Sequence, residues 1–198
     1  MVLVDHDDGG GRVAPKTGPR PGGRSARIQA TVHNATRELL TRRDRAELSV
    51  PMIAEFAGVT PSTIYRRWGN LDALFSDVAT ENLRPEQSPE DRGSFEADIL
   101  AWAEAFAEEM ASNSGRAMIR DVLSGGEENA GTCSDYAADQ IDVMLERARA
   151  RGESVPSRER VVDVIVAPLM YRILFRPHIP ANTENLVGEL MRAAPEER

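Results

Sequence analysis

From about residue 25 to residue 194, apolar residues recur with a helical period. No stretch shows the alternation of β-branched and aromatic residues that a half-buried strand requires. In residues 25–41, Ile28, Val32, Ala35, Leu39 and Leu40 fall at i, i+4, i+7, i+11 and i+12, one face of a helix. A short helix is predicted over 48–56. Ser49 can cap it, Pro51 is tolerated in its first turn, and Ile53, Phe56 and Ala57 are expected to face inward. Gly58 suits a left-handed turn. Thr60 is expected to cap the next helix, with Pro61 at its first position, Ile64 and Trp68 as apolar anchors, and Gly69 after its end. Asn70 then caps a helix over 71–83, where Leu71, Leu74, Phe75 and Val78 share a face.

Pro85 and Pro89 mark a joint, and longer helices follow it. Residues 94–111 carry Phe95, Ile99, Trp102, Ala103, Phe106 and Met110, and a short helix is predicted over 116–123. Gly125, Gly126 and the polar residues to Thr132 are expected to form a loop. Helices over 134–151, 158–175 and 183–194 complete an all-α chain of about nine helices. The 158–175 segment is apolar in most directions, which predicts burial on more than one side. Residues 1–24, rich in Gly, Pro and Arg, keep no period and are expected to be a disordered arm.

The segment SVPMIAEFAGVTPSTIYRRW has the grammar of a helix–turn–helix. Small and apolar Ile53, Ala54 and Ala57 stand where the two helices meet. Gly58 turns the chain, Val59 plugs the turn and Ile64 returns to the core. The outward positions of the second helix are Pro61, Ser62, Thr63, Tyr65, Arg66 and Arg67, whose hydroxyls and guanidinium groups suit phosphate oxygens and base edges. An αα-hairpin inside any helical domain is the plainer alternative. It rarely combines caps, a Gly turn and such an outer face.

Residues 48–74, LSVPMIAEFAGVTPSTIYRRWGNLDAL, resemble the DNA-binding domain of the TetR family of transcriptional regulators, with Thr63-Ile64-Tyr65-Arg66-Arg67-Trp68 filling its Thr-(Leu/Ile)-Tyr-x-x-(Phe/Trp) pattern. Residues 167–175, APLMYRILF, resemble the eighth helix of one branch of the family. The resemblance implies an N-terminal three-helix helix–turn–helix domain, followed by a helical ligand-binding and dimerisation domain. It implies that Thr63 and Tyr65 contact phosphates and that Pro61 and Ser62 face base edges. Arg66 or Arg67 would reach the groove or its phosphate wall, and Ser49 would hold a phosphate. Thr60 and Asn70 complete the expected DNA-binding set. Asp44 and Arg45 replace the usual Gly and aromatic, His33 replaces a common Leu or Ile, and Leu71 stands where many relatives have a phosphate-binding Lys.

Charge agrees with this division once it is mapped along the chain. The net charge is −8, yet residues 12–84 hold 12 Lys/Arg against 7 Asp/Glu, and residues 85–198 hold 12 Arg against 22 Asp/Glu. A basic module on an acidic body suits a protein that meets a polyanion through one part only. The expected division is an arm at 1–24, a DNA-binding domain at 25–84, and a ligand-binding and dimerisation domain at 85–198. Arg12, Lys16, Arg20 and Arg24 in the arm fit either a minor-groove strand or a solubilising tail, and Asp5, Asp7 and Asp8 weigh against tight DNA contact.

Little points to catalysis. No P-loop, dinucleotide-binding Gly pattern or nucleophile elbow occurs. His6, His33 and His178 have no metal-ligand spacing, and the single cysteine, Cys133, reads as a loop residue. No metal or cofactor is expected, no segment is long and apolar enough for a membrane span, and no secretory signal precedes the helices. Taken with the family resemblance, the sequence implies a cytoplasmic homodimeric repressor that binds a double-stranded operator and is released by a small apolar or amphipathic ligand. The expected pocket wall is Trp102, Phe106, Met110, Met118, Ile119, Met144 and Tyr171, which as single residues read equally as core. The alternative is an all-α enzyme or small-molecule binding protein without DNA binding.

Overall fold

The computed structural model describes residues 23–179 and 182–192. Among the described residues the regular elements are nine helices and one 3-10 turn. They are α1 (Gly23–Arg42), the 3-10 turn (Arg45–Glu47), α2 (Val50–Ala57), α3 (Pro61–Trp68), α4 (Leu71–Asn82), α5 (Phe95–Ala111), α6 (Asn113–Ser124) and α7 (Glu127–Ala150). Helix α8 begins as Arg158–Val161, widens into a π-helical turn, Val162–Val166, and continues as Ala167–Phe175; α9 is Thr183–Arg192.

Two clusters of buried side chains organise these helices. Val32, Leu39, Ile53, Ala54, Ile64, Leu74, Phe75 and Val78 bring α1–α4 together. Phe95, Ile99, Ile141, Met144, Leu145, Ile165, Leu169 and Leu190 do the same for α5, α7, α8 and α9. Helix α4 is buried over Leu74, Phe75, Ser76, Val78, Ala79 and Thr80, because α1 and α3 cover one side of it and α6 and α7 another.

Several expectations shift for local physical reasons. Residues 1–22 of the expected arm lie outside the described residues, while Gly23 and Arg24 already belong to α1. Phe56 does not face inward. It is 44% exposed and lies under the Arg42 guanidinium, 5.7 Å from the ring centroid. The expected loop after Gly126 is helix from Glu127 on. Gly126 adopts φ 103°, and Glu127 and Glu128 then place carboxylates at a helix start, which the dipole favours. Cys133 therefore sits on α7 and not in a loop.

Helix α6 starts at Asn113, earlier than the apolar pattern suggests. Ser112 Oγ donates to the Glu109 carbonyl at 2.7 Å and accepts the Gly115 N–H at 2.8 Å, so one hydroxyl closes α5 and opens α6. Gly115 makes this corner sterically possible, since a Cβ there would stand 2.1 Å from the Glu109 carbonyl oxygen. In α8, Pro168 has no N–H and its ring displaces a carbonyl one turn back, and the π-turn lies just before it. Within the single chain α8 buries one stripe, Val161, Ile165, Leu169 and Ile173, and leaves Tyr171 and Phe175 exposed.

Gly115→Ala should destabilise the protein by ~1–3 kcal/mol, the usual range for overpacking against backbone. A thermal melt followed by circular dichroism checks it. A drop of several degrees is expected for a chain of this size, and an unchanged midpoint would contradict the close approach.

Candidate nucleic-acid interface and the cavity behind it

The α2–α3 corner is built from caps and a left-handed glycine. Ser49 Oγ accepts from the Met52 N–H at 3.5 Å, and Asn70 Oδ1 accepts from the Ala73 N–H at 2.8 Å. Gly58 takes φ 66°, and the Val59 N–H returns to the Ala54 carbonyl at 2.9 Å. Thr60 stands at the N-cap of α3, but its hydroxyl does not cap a backbone N–H as expected. It pairs with the hydroxyls of Ser62 and Thr63, each at 2.9 Å, forming a cluster at the helix start.

Helix α3 has one fully buried side chain, Ile64. Pro61, Ser62, Tyr65, Arg66 and Arg67 are exposed, Thr63 is half-buried, and Tyr65 keeps 50% of its surface. The two arginines differ. Arg66 has no ion pair or hydrogen bond among the described residues. Arg67 turns back toward α1, donating to Ser25 Oγ at 2.7 Å and Gln29 Oε1 at 3.3 Å, with its guanidinium 5.4 Å from the Trp68 ring centroid.

Below α3 lies a polar group that sequence reasoning missed. His33 is 2% exposed, and its Nε2 is 2.9 Å from Asp77 Oδ2. The same oxygen accepts from Trp68 Nε1 at 2.6 Å and Gln29 Nε2 at 3.3 Å. Burial alone would raise the Asp77 pKa; the hydrogen bonds from His33 and Trp68 outweigh it and hold the carboxyl below its ordinary value. The only sequence signal was a histidine on the apolar face of the first helix.

Helix α4 is tied to the α6–α7 corner. Ser76 Oγ, fully buried, donates to the Val122 carbonyl at 3.1 Å and accepts from Asn129 Nδ2 at 2.7 Å. A Cβ on Gly125 would stand 2.0 Å from that oxygen, so the corner meets α4 where it has no side chain. Arg45 spans the same junction. It pairs with Asp72 at 3.1 Å and Asp121 at 2.8 Å, and its guanidinium lies 4.5 Å from the Phe75 ring centroid. Burial lifts the Asp121 carboxyl above its usual value in spite of Arg45.

Behind α4 opens a cavity of about 780 Å³. Four of the seven residues expected to line it do so: Trp102, Phe106, Met110 and Ile119. Three do not. Met144 is buried in the second core, Met118 is absent from the wall, and Tyr171 is 55% exposed on an outer surface beside Arg172 and Ile179. Periodicity told which of these positions were apolar; which side of α6, α7 and α8 faced the void depended on how the helices rotate in the packed structure.

Trp102 and Phe106 stack at 5.1 Å and 21°. Trp102 Nε1 donates to Gln140 Oε1 at 2.6 Å, and Gln140 Nε2 donates to the Gln87 carbonyl at 3.2 Å. The rim missed by sequence is the strap between α4 and α5, from Arg84 to Glu90, with Arg92. Asp98, almost wholly buried, fastens it: it accepts from the Arg92 N–H at 2.6 Å and faces Arg147 at 3.6 Å and Arg151 at 3.3 Å. Cys133 also faces the cavity, with its thiol pKa raised by burial, which suits a packed sulfur more than a nucleophile.

Among the described residues, no helix is long and apolar enough to cross a membrane, and no cluster of His, Cys, Asp and Glu could hold a metal ion. Residues 33–78 match the model of bacterial regulatory proteins of the tetR family, and residues 89–194 match the tetracyclin repressor-like C-terminal domain. The chain is 27% identical over 150 residues to YdeS, an HTH-type transcriptional regulator of Bacillus subtilis (strain 168), across 71% of this chain and 75% of that protein. It is 25% identical over 167 residues to Rv1556, an HTH-type transcriptional regulator of Mycobacterium tuberculosis (strain ATCC 25618 / H37Rv), across 79% of this chain and 82% of that one. A TetR transcriptional regulator from Rhodococcus sp. RHA1 shares the fold, with a TM-score of 0.54 over 85% of this chain and 94% of that chain at 15% identity. The C-terminal match alone spans more than half of the sequence and stands behind a helix–turn–helix with a polar, basic outer face, so the chain belongs to the TetR family and is a DNA-binding transcriptional regulator.

Proposed function

We propose that this regulator is a cytoplasmic homodimeric repressor, released from a double-stranded operator when a small apolar or amphipathic molecule fills the cavity behind α4. Residues 25–84 form the DNA-binding domain in this reading, and residues 85–198 bind the ligand and the second subunit. It ascribes no catalytic step to the chain. The observation that carries it is that the α6–α7 corner gripping Ser76 also contributes Val122, Leu123, Ala130 and Cys133 to the cavity wall. A molecule that displaces this wall moves α4, and α4 carries the recognition helix. A ligand weakens DNA binding only by preferring a conformation in which the two recognition helices are wrongly spaced.

On the DNA side, Thr63 and Tyr65 hold phosphates, Pro61 and Ser62 face base edges, and Arg66, without a partner among the described residues, enters the groove. Thr60 orients the hydroxyls of Ser62 and Thr63. The N-termini of α2 and α4, at Ser49 and Asn70, present N–H groups toward the backbone. Arg67, drawn toward Ser25, serves the phosphate wall. Tyr65→Phe and Thr63→Ala should weaken binding to every duplex alike, since phosphate contacts position without specifying. Arg66→Ala should cost about 1–3 kcal/mol on the operator if it pairs a guanine edge, and relax preference at that base. Titrations at fixed salt measure all three; undiminished affinity throughout would sink this assignment.

The dimer surface we assign is the outer side of α8 and α9. Tyr171 and Phe175, whose rings lie 5.3 Å apart, are exposed on α8, Ile179 is exposed in the connection that follows, and Met191 is exposed on α9, apolar side chains that a lone subunit leaves in water. A two-fold dimer through it would set the recognition helices ~34–36 Å apart, one turn of DNA. Sedimentation at micromolar concentration should give a dimer, and Phe175→Glu a monomer. A monomeric unmodified protein would contradict the assignment.

For the ligand, a library of small apolar compounds screened by thermal shift should yield stabilising hits. Trp102→Ala and Phe106→Ala should then shift the concentration that releases DNA at least tenfold, with DNA affinity in the compound's absence little changed. Release curves that ignore both substitutions would place the pocket elsewhere.

A further inference from the structure

Helix α3 is eight residues long and has a single fully buried side chain, Ile64. In a helix of about 12 Å with one fully buried side chain and a half-buried Trp68 ring packed on the same core, apolar contact alone leaves room for a small turn about the helix axis. Such a turn would move every outward side chain across the groove. A second fixed point is needed, and it lies at the far end of the helix, where Trp68 Nε1 donates to Asp77 Oδ2 at 2.6 Å.

The same oxygen takes donors from α1. His33 Nε2 approaches at 2.9 Å and Gln29 Nε2 at 3.3 Å, from residues one helical turn apart on one face. Oxygen Oδ2 thus joins α1, α3 and α4. A carboxylate only accepts, so Gln29 must turn its amide nitrogen to Asp77, which leaves its carbonyl oxygen for Arg67 Nη2 at 3.3 Å. Arg67 is drawn away from the groove side by an orientation set at Asp77, and Arg66 is left without a partner among the described residues. Hydrogen bonds to an ionised acceptor are roughly twice as strong as neutral ones, and Asp77 is held in its ionised form by the very groups it orients.

We propose that Asp77 is the positioning residue of the recognition helix: through Trp68 it fixes the rotation of α3 against α1 and α4, and through Gln29 it withdraws Arg67 so that Arg66 reads the base edges. The role rests on the DNA-binding function and concerns sequence discrimination more than affinity as such. Phosphate contacts tolerate a small rotation of the helix; bidentate contacts to base edges do not.

The test uses the full-length protein and a duplex enriched by the wild-type protein from a randomised DNA pool, with an unenriched duplex as reference. Asp77→Asn removes the charge and keeps the size. Trp68→Phe keeps an aromatic anchor and removes the N–H donor, and remains informative if the first variant does not fold. Each variant should lose tenfold or more in affinity for the enriched duplex. Affinity for the reference duplex, and the salt slope that counts phosphate contacts, should stay within twofold. In the Asp77→Asn background, Arg66→Ala should cause a much smaller further loss than in the wild type, because the two residues act on the same contact. A merely structural role predicts something else, a lower melting temperature with equal losses on both duplexes. Equal losses, or undiminished discrimination in both variants, would overturn the proposal. Failure of the wild-type protein to enrich any sequence would instead overturn the DNA-reading function on which it rests.

Discussion

The buried hydroxyl of Ser76 meets the α6–α7 corner at Gly125, where that corner carries no side chain. The relation between the two halves of the molecule depends on this contact. Two helical surfaces can approach that closely only if one lacks a Cβ, and a hydroxyl brought into such a place needs partners. The Val122 carbonyl and the Asn129 amide supply them. With Leu74, Phe75 and Val78 packed in the core it shares with α1, α2 and α3, and its other side against α6 and α7, α4 is the element through which the N-terminal helices meet the rest of the molecule.

Charge reinforces the joint where apolar packing ends. Arg45 covers the Phe75 ring and faces carboxylates from α4 and α6. Asp98, with almost no exposure, faces two guanidinium groups and a backbone N–H, and so pins the strap that rims the cavity. Breaking a buried pair leaves a charge unmatched, a loss of ~3–5 kcal/mol for removal of one partner. Such groups add less to net stability than to the choice of one arrangement. The strap that leads out of the DNA-binding helices is thereby kept over the cavity behind α4 and not free in solvent.

The departures from the family pattern acquire reasons in the same way. The Arg at position 45, where an aromatic is usual, uses its guanidinium as the flat cover over Phe75 and adds ion pairs that an aromatic could not make. The His at position 33, where a Leu or Ile is common, sits on the apolar face because Asp77 meets it there. Each substitution is intelligible only with its partner on another helix.

The sequence by itself determined the class of the fold and the grammar of the DNA-binding corner. Period, caps and glycines are local properties, and Ser49, Gly58 and Asn70 act on their own chain neighbours. The outward set on α3 was legible for the same reason: eight residues with Ile64 buried leave little choice for the rest. Local pattern failed where a neighbouring helix decided. It gave seven apolar cavity candidates, but the rotation of α6, α7 and α8 selected Trp102, Phe106, Met110 and Ile119 and turned Met118, Met144 and Tyr171 elsewhere. It presented Arg66 and Arg67 as equivalents, and only Gln29 and Ser25 on α1 separate them. Asp77 looked like one more charge on a helix; its three donors come from residues 9 to 48 positions away, a convergence that exists only once the chain has folded.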